Sequence, residues 1–163
     1  MTGKQLEELV NLYYEDILRY FVYRIRDRVN AEDLTQDTFY RFIRYAAEGN
    51  RFSGQRQCRA YLYKIASNVC RDYYSRRVET EELTENIPAP GYTEEEKDLA
   101  FVLEDALSHL PDLVREAAVL YYFDGFRVRE IAEIQGATVA AVKSRLKTAR
   151  DTLRNVLKEE EGQ

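Results

Sequence analysis

Lys143, Lys147, Arg150 and Arg154 follow one another at three- and four-residue spacing near the end of the chain. On a helix that spacing gathers them into one stripe, with Arg145 beside it and Asp151 as the only acid among them. A row of ammonium and guanidinium groups is suited to holding phosphates and donating hydrogen bonds to base edges. A second basic set occupies residues 51–77, where Arg51, Arg56, Arg59, Lys64, Arg71, Arg76 and Arg77 meet a single acid, Asp72.

The formal net charge of −5 argues against a polyanionic partner until its distribution is read. Residues 1–78 carry 14 basic and 10 acidic groups, residues 79–98 carry 1 and 8, and residues 99–163 carry 9 and 11. Two basic patches therefore flank an acidic connector, the footprint of a chain that meets nucleic acid.

Other chemistries find little support. His109 is the lone histidine, just before Leu110-Pro111, with no cysteine or carboxylate cluster around it, so no catalytic, metal or cofactor site is expected. Cys58 and Cys70, twelve residues apart on one expected helix, read as reduced, partly buried thiols. No apolar stretch approaches the roughly 20 residues of a membrane span, and the N-terminus lacks a secretory core, so the expected location is cytoplasmic.

Helices must position both basic sets. Gly and Pro number only 7 and 3, apolar residues recur at helical spacing and alternating β-branched runs are missing, which predicts an all-α fold. Leu6 through Ile25 carry the stripe of a first helix. Asn30 is the expected N-cap of a second, with Asp33 in its first turn, which ends at Gly49. A third runs from about Cys58 to Arg76 with Tyr61, Leu62, Ile65, Ala66, Val69 and Tyr73 inward. Periodicity then fails, and Pro88, Pro90 and Gly91 cannot continue a helix. The expected organisation is a helical domain over 1–77, a flexible acidic linker over 78–98, a second small helical domain over 99–158 and an acidic tail over 159–163.

Within the second domain, Ile131 and Ile134 face inward, Ala132 is small where a crossing helix approaches, and Gly136 permits the positive φ of a tight turn. Thr138 is placed to cap the next helix, whose inner stripe is Val139, Val142, Leu146, Ala149, Leu153 and Val156. This is a helix-turn-helix whose second helix fits the major groove.

Three segments together, Asp33-Leu-Thr-Gln-Asp-Thr-Phe39, Ala60 through Arg77 and Glu130 through Arg150, closely resemble the extracytoplasmic-function group of bacterial sigma factors, over almost the whole chain. The resemblance implies a subunit that binds core RNA polymerase, directs it to promoter DNA and assists melting, without catalysing a reaction or using a small-molecule substrate. It implies that Asp33, Gln36, Asp37 and Arg41 face the polymerase. It places Phe52, Ser53, Arg56, Tyr61, Lys64, Asn68, Arg71, Arg76 and Arg77 at the minus-ten element. Asn68 offers donor and acceptor to a flipped base there, and the loop from Phe52 to Arg56 walls its pocket. It assigns Thr138, Lys143, Ser144, Lys147, Arg145 and Arg150 to the minus-thirty-five element, the two arginines nearer the phosphates, and it implies an anti-sigma factor as a further partner. The chain departs from the family pattern at Gln135 and Ala137, where larger apolar residues are usual, at Ala140-Ala141, at Thr148 and at Tyr61, often Trp.

Two rivals differ in what they require. An output-domain transcriptional regulator shares the Glu-Ile-Ala to Val-Lys-Ser signature, but its α/β receiver has no counterpart in residues 1–90. A helical module that binds only protein leaves the basic stripes unexplained.

Overall fold

The computed structural model describes the backbone of residues 1–80 and 94–161 and the side chains of residues 1–77 and 101–158. The expected linker lies largely outside these residues. Helix α1 spans Gly3–Ile25, α2 Arg28–Ala47, α3 Gln55–Thr80, α4 Glu94–Ser108, α5 Asp112–Ala118, α6 Val128–Gln135 and α7 Val139–Glu161. No strand occurs among the described residues.

Local chemistry sets the helix ends. Thr2 and Gln5 form a reciprocal capping box at the start of α1. Helix α2 begins three residues earlier than its Asn30 suggests: Asp27 is the N-cap and accepts both the backbone N–H and the side-chain amide of Asn30. The carboxylate is the better acceptor for orphan N–H groups, which leaves Asn30 as its donor. Helix α3 likewise starts ahead of Cys58, at Gln55, and runs past Arg76 to Thr80.

Tyr13, Ile17 and Phe21 of α1 pack with Phe39 and Phe42 of α2 and with Leu62, Ala66 and Val69 of α3. Leu107, Leu110, Ala117, Leu120, Ile131, Ile134, Val142, Leu146 and Ala149 form the second core. The two cores are continuous, because α6 lies against α3 while α4 and α5 lie against α1. The halves are thus packed together.

Between α5 and α6 the chain makes a π turn over Val119–Phe123, closed by the Asp124 N–H on the Val119 carbonyl at 3.2 Å. The extra residue re-aims the chain as it leaves the turn. Asp124 and Phe126 are consequently buried against the first half. Cys58 and Cys70 are free thiols, fully rather than partly buried, and burial pushes the Cys70 thiol up to about 12, which keeps it inert.

Candidate nucleic-acid interface

Helix α6 ends at Gly136, whose φ of 63° turns the chain into α7. The Ala137 N–H closes the turn on the Ala132 carbonyl at 2.9 Å, and Thr138 Oγ1 accepts the Ala141 N–H at 3.1 Å. Val142, Leu146 and Ala149 are buried on the inner side of α7, so its helical phase leaves Lys143, Ser144, Lys147 and Arg150 exposed. The charges of Lys143, Lys147 and Arg150 are unopposed by any ion pair among the described residues.

Arg145 departs from the stripe. It is half-buried and donates to Gln135 Oε1 at 2.7 Å, while Gln135 Nε2 donates to the Leu113 carbonyl and to Glu116 Oε1, both at 3.0 Å. Gln135 is thus a buried polar bridge, and Arg145 is held inward by it.

The second basic set lies on α3, where Lys64, Asn68, Arg71 and Arg76 are exposed. Arg71 donates to Ser67 Oγ at 3.3 Å, and the half-buried Arg77 to the Tyr73 hydroxyl at 3.3 Å. Asn68 borders a shallow cavity of about 290 Å³ whose other walls are Arg41, Arg44, Tyr45, Glu48, Tyr61 and Ile65. That volume is just below the range of small-ligand sites, roughly 300–1,000 Å³. Tyr61 stacks on Tyr45 with ring centroids 4.4 Å apart, and Phe52 stacks on Phe42 at 5.4 Å.

The loop before α3 does not wall this cavity. Phe52 turns inward, Ser53 is exposed and donates its N–H to Gln57 Oε1, and Arg56 reaches the other half of the chain. Apolar packing of Phe52 outweighs its exposure in a loop, and Tyr45 and Arg44 of α2 take the wall position instead.

On α2, Asp33 and Gln36 are exposed, whereas Asp37 and Arg41 pair with each other at 3.1 Å and Arg41 also reaches Asp72 of α3 at 3.3 Å.

Sequence reasoning missed the contact between halves. Arg24 and Glu116 are buried and paired at 2.7 Å, and the Tyr20 hydroxyl donates to the same carboxylate oxygen. Asp124 Oδ1 accepts from Arg19 at 3.0 Å and from the Tyr63 hydroxyl at 2.8 Å. Burial pushes Asp124 up to about 6 against the opposing pull of Tyr63 and Arg19. One signal was available: Arg24 sits in phase with Ile17, Tyr20 and Phe21 on the apolar stripe of α1, where a charge requires a partner. Among the described residues, no group of three or more His, Cys, Asp or Glu is placed to hold a metal, and no helix is long and apolar enough to cross a membrane.

An all-helical chain with a helix-turn-helix, an outward basic stripe and a second basic helix beside an aromatic cavity is built as a DNA-binding protein. Residues 9–80 match the family described as Sigma-70 region 2, and residues 100–153 the family described as Sigma-70, region 4. RNA polymerase sigma factor YlaC of Bacillus subtilis is 31% identical over 154 residues, which cover 89% of this chain and 87% of that protein. ECF RNA polymerase sigma factor SigW of the same organism is 31% identical over 169 residues, covering 93% and 88%. Among solved structures, sigma factor RpoE of Bartonella quintana, in complex with the anti-sigma factor NepR, shares the fold with a TM-score of 0.75 at 24% identity, over 95% of this chain and 98% of that one. The chain belongs to the sigma-70 family of RNA polymerase sigma factors, within its extracytoplasmic-function group. It is a promoter-directing initiation factor of RNA polymerase.

Proposed function

We propose that α7 reads the minus-thirty-five element through Lys143, Ser144 and Lys147, with Thr138 and Arg150 nearer the phosphates, and that α3 reads the minus-ten element. The carrying observation is the phase of α7: Val142, Leu146 and Ala149 are at most 4% exposed while the cations between them face outward. In the minus-ten half, a base flipped from the duplex enters the cavity beside Asn68 and stacks near Tyr61, and Lys64, Arg71, Arg76 and Arg77 follow the backbone. Asp33 and Gln36 meet core polymerase directly, and the Asp37–Arg41 pair lies beside them. The chain acts in the cytoplasm and catalyses no reaction itself; its region-2-like unit is 1–77 and its region-4-like unit 99–158. By analogy with RpoE, a protein inhibitor of the anti-sigma class is a further partner.

Run-off transcription with purified core polymerase on fragmented genomic DNA of the source tests this reading. New start sites that depend on the chain are expected. Their absence, with folded protein that binds core, overturns it.

A further inference from the structure

We propose that Gln135 is a positioning residue for the reading helix: it holds Arg145 inside the helix-turn-helix half, so that α7 meets DNA through Lys143, Lys147 and Arg150 while Arg145 touches no phosphate. This role rests on the DNA-reading assignment of α7.

The amide of Gln135 carries the inference. The residue is 8% exposed and ends α6 one position before the turn at Gly136. On one side its Nε2 faces two acceptors, the Leu113 carbonyl and Glu116 Oε1, both at 3.0 Å; on the other its Oε1 faces a donor, Arg145 Nη1, at 2.7 Å. Reversing the amide in place would set its oxygen against a carboxylate and a carbonyl, and its nitrogen against a guanidinium, so only one orientation satisfies the site. The groups involved belong to α5, α6 and α7, so the bridge is internal to the helix-turn-helix half and does not depend on how that half meets the first.

The resemblance places Arg145 at the phosphates, and its position directly after Ser144 agrees with that. The geometry gives its guanidinium an inner acceptor instead. Arg145 is half-buried, whereas Lys143, Ser144, Lys147 and Arg150 are exposed. Donation by Gln135 to the Glu116 carboxylate polarises the amide and strengthens its oxygen as an acceptor. A hydrogen bond from a charged donor to such an oxygen is stronger than one between neutral groups. Anchored inward, Arg145 also ties α7 to the end of α6 and thereby fixes the rotation of α7 about its axis, which sets the phase at which Lys143, Ser144 and Lys147 face the groove.

Fluorescence anisotropy of the full chain with a labelled mixed-sequence duplex, over a series of salt concentrations, tests the proposal. Each cation that holds a phosphate adds about 0.9 to the slope of log affinity against log salt, which is a change of about 3.5-fold between 50 and 200 mM. Arg150→Gln should flatten the slope by that amount, and Arg145→Gln should leave it unchanged. Gln135→Leu should steepen it by about one unit although it alters no charge. Leucine accepts no hydrogen bond and separates Arg145 from Glu116, so the guanidinium turns to phosphate. A residue that merely supports the fold would lower affinity without steepening the slope. Should Gln135→Leu lose helical content by circular dichroism, Arg145→Gln decides the matter: flattening equal to that of Arg150→Gln means that Arg145 holds a phosphate in the wild type, and overturns the proposal. A folded Gln135→Leu with the wild-type slope overturns it as well. A slope left unchanged by Arg150→Gln, Lys143→Ala and Lys147→Ala alike is a different failure, that of the reading of α7 itself, and the proposal falls with it.

Discussion

Arg24 and Glu116 are 92 residues apart in sequence and 2.7 Å apart in the fold, with side chains at most 1% exposed. Desolvating two charges is costly, and only mutual attraction and further hydrogen bonds offset it. Burial raises the Glu116 pKa, but Arg24, the Tyr20 hydroxyl and the Gln135 amide outweigh burial and hold it below 4.5. The charged form is therefore the one that favours the contact between the halves; its contribution is full above the ordinary carboxylate range and is lost as pH falls through the lowered value. Arg24→Leu strands Glu116 and is expected to cost up to about 3–5 kcal/mol in chemical denaturation, whereas Arg24→Leu with Glu116→Leu should recover most of that. Equal losses in the single and double variants would show that the pair's desolvation is not the dominant cost.

Asp124 behaves in the opposite sense. Its pKa of about 6 in this contact lies above the ordinary 3.8, so the packed halves bind a proton that an exposed Asp124 releases. The contact between the halves should strengthen as pH falls through about 6 toward the ordinary value of 3.8, and be weakest above 6, where Asp124 is ionised in both states. Arg19 from α1 and Arg59 and Tyr63 from α3 are the charged and titratable groups that act on it. Asp124 Oδ2 has no hydrogen-bond partner and is the natural site of the added proton. Carboxyl carbon chemical shifts should report the titration directly, and Asp124→Asn should flatten the pH dependence of the radius of gyration in small-angle X-ray scattering between about 4 and 6.

Gln135 joins Glu116 to Arg145. Gln135→Leu leaves Glu116 Oε1 without the Gln135 donor and Arg145 without its acceptor. A loss of about 1–3 kcal/mol is expected on denaturation. Gly136→Ala meets no atom within 4 Å, so its cost is backbone strain at a φ of 63° alone. That cost is about 1–2 kcal/mol. A larger loss would mean that the turn changes the crossing of α6 and α7.

The helices and the outward stripe of α7 are legible in the sequence because both come from one period: residues off the apolar phase of Val142, Leu146 and Ala149 must face solvent. Helix starts are less legible. Asp27 and Asn30 are both competent caps, and only their geometry shows which accepts from the other. The contact between halves is legible only in Arg24, whose charge lies in phase on the apolar stripe of α1 and requires a partner, and its other members leave no local trace. Tyr63 reads as an ordinary helix residue, and Asp124-Gly125 as a break, until the π turn directs Asp124 at Tyr63 across a separation of 61 residues. The wall of the cavity shifts for a similar reason: stacking of Phe52 on Phe42 is a tertiary preference that loop composition does not reveal.

Lys143 and Lys147 provide the most direct test of the α7 assignment, because both are exposed and neither takes part in an ion pair among the described residues. Replacing both with Ala preserves helix propensity and the inner stripe, so helical content and thermal stability should be unchanged. Promoter binding by the polymerase complex should weaken by about 1–3 kcal/mol where a lysine reads a base edge. For each lysine that instead holds a phosphate, the salt dependence of binding should flatten by about one unit. Core polymerase binding should be unaltered, since the face proposed to meet it belongs to α2. The comparison of the two losses is decisive: promoter binding and core binding falling together would place Lys143 and Lys147 at the polymerase, and the reading of α7 as the minus-thirty-five helix would be lost.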